Sequence, residues 1–479
     1  MLSGGGARAS FQLGALRYLY DHVGIHPQVM VGTSAGSIIA ACLSQYADVQ
    51  DQSRALRELE RLWLSMTSPE QMFAARPWFE RLTERREEWM SLVQHEQNRP
   101  APSFSLPKLP SPWGQGTEQA PAEDERRVED EELTGAALTM HVAMSEGETT
   151  TQRLGPSAVL PLLSMLPRLR TAGSDLSVIL RGADASRSMY HPGTILMRLL
   201  DGEFFTSERT RTSGTTVRIA VVALESGELR YVTETGDMVD RDNRPLPGIP
   251  NIDLSLGVLA SCAIPSVFAP VRIGDEWYVD GGTREATPAE MAIGPLGADP
   301  CYVVVSTPVE PPRADSFESK SMLSILLRSA EIVTDEAERD EIALARSSGA
   351  VVVEPELFVH DAITVDPGLL QINRDYGWLR AAETHLGLPR SVCDVHRRAI
   401  ELRLEALELE ADVLAGKKDE ETLRNLARVK FLIRDQLEVL DPARLPEGAA
   451  RWWTDWERHP EQPTLGPTWL TRSARRGPA

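Results

Sequence analysis

A serine flanked by glycines is the first residue in this sequence whose type and spacing suggest chemistry. Residues 32–36 read Gly-Thr-Ser-Ala-Gly, a G-x-S-x-G pattern with Ser34 at its centre. An apolar stretch at 27–31 predicts a buried strand before it, and an Ala- and Ile-rich stretch at 37–43 predicts a helix after it. Such a turn is strained, and a Cβ at Gly32 or Gly36 would collide with neighbouring backbone. Ser34 is therefore a candidate nucleophile, and the start of the helix would favour negative charge beside it.

A run of glycines lies shortly before this serine. Residues 3–8 read Ser-Gly-Gly-Gly-Ala-Arg. Consecutive glycines let backbone N–H groups approach a ligand closely, as an oxyanion hole requires. The run does not match a phosphate-binding loop, which needs Gly-Lys-Ser/Thr, or a dinucleotide fingerprint, which needs G-x-G-x-x-G after a full strand. We therefore interpret it as a candidate oxyanion hole for Ser34.

An aspartate far along the chain has a related setting. Asp280-Gly281-Gly282 follows a short stretch, 277–279, that predicts a strand. Two glycines leave an aspartate at a strand end uncrowded, so its carboxylate can approach a serine hydroxyl group directly. Taken alone, Asp-Gly more often marks a turn between two strands. Together with the glycine run and the serine turn, it makes Asp280 a candidate base.

These three motifs, in this order, resemble the patatin-like phospholipase family. The family pattern is a glycine-rich loop with a basic residue, here Arg8, then G-x-S-x-G, then a distant D-G-[GA]. A fourth family-like stretch, Ala-Ser-Cys-Ala-Ile-Pro at 260–265, leads to Phe268 and Pro270 shortly before the aspartate. The resemblance covers residues 1 to about 75 and about 190 to 390. The ordered set is much more specific than any single motif.

The resemblance implies a serine acyl hydrolase with a Ser–Asp dyad and no histidine. Ser34 would attack an ester carbonyl group, Asp280 would take its proton, and water would then cleave the acyl-enzyme. The residues whose backbone N–H groups would hold the oxyanion are Gly4, Gly5, Gly6 and Ala35. Arg8 would orient the glycine loop or approach a lipid phosphate, and a structural salt bridge is an equally good interpretation. The expected substrates are fatty-acyl esters of phospholipids or lysophospholipids.

The sequence departs from the family pattern at three places. Ala9 stands where the family has a glycine after the basic residue. Ala286 stands where the family often has asparagine in D-G-G-x-x-x-N-x-P, a change that would loosen the aspartate loop. Only Met1 and Leu2 precede the glycine run, so either the first strand is very short or the start of the protein lies upstream.

The elements that position these motifs alternate between helices and strands. Apolar residues at helical spacing predict helices at 11–20, 37–43, 54–64 and 79–93. Strands are predicted at 27–31, 217–223, 228–233, 276–279, 301–306 and 350–353, with a hairpin turn at Ser226-Gly227. This alternation predicts an α/β fold. The resemblance refines it to three layers, α/β/α, around a mainly parallel central sheet.

The domain organisation follows from changes in composition. Residues 1–75 and 191–390 are predicted to form the two halves of one patatin-like domain. Residues 76–190 are predicted to be a helical insertion or lid, within which the proline-rich and acidic stretch 97–132 cannot offset its chain entropy and is predicted to be disordered. Residues 391–442 carry two apolar stripes typical of a helical hairpin, with Gly416 as a helix cap. Residues 443–479 form a Trp-rich tail.

The composition argues against several classes of protein. The net charge of −20 argues against nucleic-acid binding, which needs a basic surface. Four well-separated cysteines without a C-x-x-C pair predict reduced thiols in a cytoplasmic protein. No apolar run is long enough to span a bilayer, and no spacing of histidines indicates a metal site. We therefore expect a cytoplasmic enzyme without metal or cofactor.

Two regions are candidates for contact with lipids or partners. Residues 151–200 combine six arginines and two aspartates with apolar side chains, which suits a lid or a peripheral membrane contact. An ordinary core helix with a solvated arginine face is the alternative, and the Trp-rich tail has the same two interpretations. The helical hairpin most often packs on its own domain, although it also offers a surface for oligomer formation.

Two other functions remain open at this stage. A protein of the same fold could bind lipid or act as a scaffold without catalysis, using the helical hairpin as its interaction surface. A Ser-Asp-His hydrolase would recruit His360, His385 or His396, which follow Asp280 in the chain. In an α/β-hydrolase with such a triad, however, the serine turn normally lies much later in the chain than residue 34.

Overall fold

The structure is a computed structural model that describes residues 1–84, 186–200, 202, 204–308, 322–417, 419–449 and 452. The chain divides into two compact units. The larger unit comprises Met1–Ala74, His191–Pro312 and Ile332–Ala479, and it contains all the motifs described above. The smaller unit comprises Ala75–Tyr190 and Arg313–Glu331. Within the smaller unit, the Trp78 indole N–H donates a hydrogen bond to Ser186 Oγ (2.8 Å).

Helices and strands alternate along the chain, as the sequence predicts. The helices are α1 (Ala9–Tyr18), α2 (Ala35–Ser44), α3 (Val49–Leu64), α4 (Pro77–Glu84), α5 (Thr194–Leu199), α6 (Ser207–Ser213), α7 (Leu254–Ser261), α8 (Ala289–Ile293), α9 (Met322–Ser347), α10 (Pro367–Leu386), α11 (Arg390–Leu414) and α12 (Glu420–Val439). The strands are β1 (Val29–Gly32), β2 (Phe73–Ala75), β3 (Tyr190–Pro192), β4 (Thr216–Ala223), β5 (Leu229–Thr233), β6 (Met238–Val239), β7 (Val271–Ile273), β8 (Glu276–Asp280), β9 (Tyr302–Val304) and β10 (Val351–Val353). The predicted α/β fold is confirmed.

Strand β4 lies at the centre of the main sheet and organises the site. Strand β5 pairs along one edge of β4. The other edge is shared by β1, which runs parallel to β4 and ends with Gly32 opposite Ile219, and by β8, which runs antiparallel and ends with Asp280 opposite Val221. The carboxyl ends of β1 and β8 therefore point toward each other along the same edge. Residues that follow these two ends must lie close together.

The central sheet is mixed, which corrects the expectation of a mainly parallel sheet. The pairs β1–β4 and β9–β10 are parallel, and Leu2 forms parallel bridges to Gly32 and Val304. The pairs β4–β5, β4–β8, β5–β6 and β7–β8 are antiparallel. Short turns explain part of this, because a connection as tight as Ser226-Gly227 can only join antiparallel neighbours. The sequence itself predicts this antiparallel hairpin, whereas the mainly parallel sheet was implied only by the family resemblance.

Helices cover both faces of the sheet. On one face, α7 packs so closely on β5 that a Cβ on Gly257 would lie 3.0 Å from the Val232 side chain. On the opposite face, Ala220 and Val222 of β4 belong to a buried cluster that includes Met291 of α8 and Ile342 of α9. Alternate residues of a strand point to opposite faces, so both faces of β4 are buried in apolar contacts. The three-layer α/β/α architecture is confirmed.

The C-terminal helices form the predicted hairpin and pack on their own unit. The buried stripe of α12 comprises Leu426, Val429, Ile433 and Leu437. The Arg403 guanidinium of α11 forms a buried ion pair with Asp375 of α10 (2.8 Å). The Trp452 indole N–H donates to the same carboxylate (3.0 Å), so this residue of the Trp-rich tail lies in the interior. Formation of an oligomer through the hairpin stays a prediction.

Several predictions concern residues outside the described part of the chain. They are the stretch 97–132 that is predicted to be disordered, the part of the arginine-rich region 151–200 that precedes residue 186, and the tail beyond Trp452. The predicted helix at 79–93 begins within α4, and its remainder also lies outside. In the described ranges, no helix is both long enough and apolar enough to cross a membrane.

Candidate active site

The G-x-S-x-G turn joins β1 to α2 and holds Ser34 in a strained backbone conformation. Ser34 has φ 51° and ψ −127°, and positive φ in a residue with a side chain costs about 1–3 kcal/mol. Close packing enforces the turn. A Cβ on Gly32 would lie 2.6 Å from the Gly36 carbonyl oxygen, and one on Gly36 would lie 2.5 Å from the Ser3 carbonyl oxygen. Both positions therefore require glycine, and Ser34 lies at the N-terminus of α2, where negative charge is favoured.

Asp280 ends β8 and lies buried beside the serine turn. Its Oδ1 accepts a hydrogen bond from the Gly282 N–H (2.7 Å). A Cβ on Gly281 would lie 2.6 Å from the Ala220 carbonyl oxygen, so glycine is required next to the aspartate. Burial raises the pKa of Asp280 to about 7, and hydrogen bonds from the Ser34 side chain and the Gly282 N–H offset part of this rise. A carboxylate with this pKa is a suitable general base near neutral pH.

The glycine run lies against Ser34, but its N–H groups are not equally available. A Cβ on Gly4 would lie 3.4 Å from the Ser34 Cβ. The Gly4 N–H donates to the Ala286 carbonyl oxygen, which follows the aspartate motif (3.0 Å), so this group is already bonded. Among the described residues, no acceptor bonds the N–H groups of Gly5, Gly6 or Ala35. These three donors remain candidates.

The backbone after the aspartate motif ties the three motifs together. The Ala286 carbonyl oxygen accepts a hydrogen bond from the Gly4 N–H of the glycine run. The neighbouring carbonyl oxygen of Glu285 accepts from Thr33 Oγ1 (3.3 Å). The Thr287 N–H donates to Glu341 Oε2 of α9 (2.7 Å). Ala286 occupies the position where the family often has asparagine. In this chain, backbone hydrogen bonds and a glutamate from α9 hold the segment, and a looser aspartate loop stays a prediction.

Three carboxyl groups lie around this segment: Glu285 is buried, and Glu338 and Glu341 are half-buried. Burial raises the pKa of Glu285 to about 6, of Glu338 to about 7 and of Glu341 to about 9. The positive charge of Arg8 opposes the rise at Glu338, and Arg8 Nε donates to the Gly5 carbonyl oxygen (3.4 Å). Glu338 and the Gly5 carbonyl oxygen both belong to the protein itself. They favour the two interpretations in which this residue orients the glycine loop or forms a structural ion pair.

The family-like stretch at 260–265 contacts both candidate catalytic residues. The Ser34 N–H donates to Ser261 Oγ (2.9 Å), and Cys262 Sγ donates to the Ser34 carbonyl oxygen (3.3 Å). The Asp280 N–H donates to the Ala263 carbonyl oxygen (3.0 Å). Sequence reasoning found this stretch but missed the roles of its residues. The reason is that each bond involves backbone groups, which leave no signal in side-chain patterns.

The three histidines considered for a triad are bonded elsewhere. The partners of their Nδ1 atoms are Asp361 O for His360 (2.8 Å), Tyr18 Oη for His385 (3.2 Å) and Glu383 Oε1 for His396 (2.7 Å). Within the described ranges, Asp280 has no histidine partner. The Ser-Asp-His alternative therefore has no support from the geometry.

No side-chain cluster suited to a metal occurs in the part of the chain that the structure describes. There, no group of three or more histidine, cysteine, aspartate or glutamate side chains is arranged to hold a metal ion. A cavity of about 550 Å³ lies at the start of β1 and is lined in part by Val29, Met30 and Cys301. Neither Ser34 nor Asp280 lines it, so the candidate site is separate from this cavity.

Comparisons with known proteins bear on the family and the fold. The model of the patatin-like phospholipase family matches residues 1–131 and 133–293. Among curated proteins, no match to the chain was found. VipD from Legionella pneumophila is 14% identical over 98% of this chain and 92% of its own, with a TM-score of 0.29. The type III effector ExoU, from Pseudomonas aeruginosa, is 15% identical over 99% of this chain and 76% of its own, with a TM-score of 0.26. At such TM-scores these two structures support no inference about this chain.

Proposed function

Because the chain belongs to the patatin-like phospholipase family, we propose that it hydrolyses lipid acyl esters with Ser34 as nucleophile and Asp280 as base. The family by itself implies lipid acyl hydrolase activity. The observation that carries the assignment of the dyad is the register on β4. Gly32 and Asp280 pair with Ile219 and Val221, so the serine turn and the aspartate meet at one edge of the sheet.

The proposed reaction has two halves. Ser34 Oγ attacks the ester carbonyl carbon while its proton passes to the Asp280 carboxylate. The tetrahedral intermediate then expels the alcohol, which takes the proton from Asp280 and leaves an acyl-enzyme on Ser34. Water attacks this acyl group, again giving a proton to Asp280, and Ser34 recovers its proton as the fatty acid leaves. The pKa of about 7 supports this role, since the same group must accept and return a proton.

The negative charge that forms on the carbonyl oxygen would be stabilised by backbone N–H groups. Gly5, Gly6 and Ala35 are the donors that we propose, because their N–H groups have no acceptor among the described residues and Gly4 has one. Loss of one such donor typically costs about 3–4 kcal/mol of transition-state stabilisation. The N-terminus of α2 adds a favourable dipole at the same place.

We further propose fatty-acyl esters of phospholipids or lysophospholipids as substrates, reached by peripheral contact of a cytoplasmic enzyme with a lipid surface. The family supports the lipid class. All four cysteines are free thiols, which agrees with a reducing compartment. Fatty-acid release from phosphatidylcholine and from lysophosphatidylcholine vesicles, measured side by side, would separate the two substrate classes.

A fluorophosphonate probe tests the nucleophile. We expect the probe to label the full chain at Ser34, and we expect labelling and ester hydrolysis to be lost together in Ser34→Ala. The matched control is Ser44→Ala, because Ser44 is a fully buried serine on α2 whose Oγ only bonds the Ala41 carbonyl oxygen (2.9 Å). This control should be labelled like the wild type. A wild-type chain that binds lipid vesicles but resists the probe would instead support the non-catalytic lipid-binding alternative.

A further inference from the structure

The strained conformation of Ser34 leaves its N–H group dependent on one side chain. In the described part of the chain, the acceptor for this N–H is Ser261 Oγ at 2.9 Å. Ser34 is 5% exposed and Ser261 is 0% exposed, so water cannot readily replace the hydroxyl group. A buried N–H without an acceptor costs about 1–3 kcal/mol. The serine turn therefore needs the Ser261 hydroxyl group to keep its positive-φ conformation.

The same short segment also fixes the aspartate. Cys262 donates to the Ser34 carbonyl oxygen and the Ala263 carbonyl oxygen accepts from the Asp280 N–H. Three consecutive residues thus hold the backbone of the nucleophile on both sides and the backbone of the base. A displacement of this segment would change the position of one catalytic residue relative to the other.

The segment is anchored by the helix that precedes it. Helix α7 is capped at its start by the Asp253 side chain, which accepts from the Ser255 N–H (2.8 Å). The close contact between Gly257 and Val232 seats α7 on the sheet. Ser261 is the last residue of α7, so its hydroxyl group projects from a helix that is fixed at its start and along its length.

We propose that Ser261 is a positioning residue for the nucleophile. Its hydroxyl group accepts from the Ser34 N–H and holds the turn in the conformation in which Ser34 Oγ meets Asp280. Its effect falls on the rate of the acyl-transfer step, because it acts on backbone and not on substrate. This inference rests on the proposed role of Ser34.

Ser261→Ala tests the inference in the full chain. A misplacement of about 1 Å at a reacting group can lower a rate about 10²-fold. We expect the rate constant of fluorophosphonate labelling and kcat to fall by about this factor, with KM unchanged. The inflection of the pH profile should move to higher pH, because a displaced Ser34 hydroxyl group would offset the effect of burial on the pKa of Asp280 less fully. Hydrogen exchange at the Ser34 amide should become faster, since its acceptor is lost.

Ser44→Ala is again the matched control, because it deletes an equally buried hydroxyl group on the helix that follows the turn. It should change neither labelling nor exchange at Ser34. Should Ser261→Ala fail to fold, Ser261→Cys keeps the volume with a weaker acceptor and must itself show slowed labelling.

The outcomes separate this inference from the proposed function. Labelling of Ser261→Ala at the wild-type rate overturns the positioning role while the hydrolase assignment stands. If the wild type itself is not labelled, the proposed function fails, and exchange at the Ser34 amide still decides the question. Unchanged exchange in Ser261→Ala would overturn the inference in that case, and faster exchange would support it.

Discussion

At the level of single residues, burial sets the Asp280 carboxyl group apart from an exposed aspartate. An exposed aspartate has a pKa of about 3.9 and is a weak base. In this protein, burial moves the pKa to about 7, and two hydrogen bonds keep it from rising further. This pKa supports the proposal that the same residue takes a proton from the Ser34 hydroxyl group and later returns it.

The pH dependence of catalysis follows from this pKa. The base must be ionised, and the ionised fraction of Asp280 rises with pH and reaches one half at about pH 7. We expect kcat/KM for a neutral ester to rise about tenfold per pH unit below 7 and to level off above it. Initial rates between pH 5 and 9 would measure this. A profile that is flat from pH 5 to 8 would be inconsistent with Asp280 as the base.

Asp280→Asn gives a second measurement on the same residue. The amide keeps an acceptor oxygen for the Gly282 N–H but cannot take a proton. General-base catalysis typically contributes about 10²–10⁴-fold, so we expect a loss of this size together with the loss of the pH inflection. Far-ultraviolet circular dichroism would check that the fold is retained. Hydrolysis at the wild-type rate would exclude the dyad.

At the level of elements, the sequence predicted individual helices and strands better than their arrangement. The strand at 27–31 and the helix at 37–43 correspond to β1 and α2, because an apolar run and helical spacing are local signals. The antiparallel pairing of β8 with β4 was not predictable in this way. Strand direction and edge depend on contacts between residues far apart in the chain. The hydrogen bond between Ser34 and Ser261 was not predictable either, because it joins a backbone group to a side chain far away in the chain.

Gly36→Ala tests the close packing between the serine turn and the glycine run. The added Cβ would lie 2.5 Å from the Ser3 carbonyl oxygen and 2.6 Å from the Leu2 carbonyl oxygen. Overpacking of this kind costs about 1–3 kcal/mol and would move the glycine run away from Ser34. We therefore expect lower stability in urea unfolding and a loss of fluorophosphonate labelling.

Gly248→Ala is the control for that substitution. Gly248 has φ 92°, and no atom lies within 4 Å of its added Cβ. The strain should lower stability by about 1 kcal/mol without affecting labelling. Equal labelling of the Gly36→Ala and Gly248→Ala variants would contradict the packing argument.

At the level of the whole molecule, half-buried carboxyl groups couple folding to pH. Glu341 has a pKa of about 9 in the folded protein and about 4.3 in an unfolded chain, so folding takes up a proton between these values. Its contribution to stability is complete below about pH 4 and is lost as the pH rises through about 9. Glu338 acts in the same direction, with a folded pKa of about 7. The protein should therefore become less stable from pH 5 to pH 9.

Glu341→Gln tests this coupling. The neutral amide resembles the protonated carboxyl group and can still accept from the Thr287 N–H. We expect the free energy of unfolding to rise by about 1–2 kcal/mol at pH 8, after allowance for partial solvent screening, and to stay unchanged at pH 4. The exposed residue Glu420 gives the control, since Glu420→Gln should change stability by less than about 0.5 kcal/mol at either pH. A Glu341→Gln variant less stable than wild type at pH 8 would contradict the argument.

The separation between Ser34 and Asp280 is set by positions along β4 and not by their distance along the chain. On β4, Ile219 lies opposite Gly32 and Val221 lies opposite Asp280, so these two positions set the gap between the ends of β1 and β8. Insertions or deletions in the loops that connect the other elements do not change this gap. One residue inserted between these two positions would instead move Ser34 away from Asp280 and turn the following side chains of β4 to the other face. Members of the family should thus differ widely in overall length while preserving the length of this one strand.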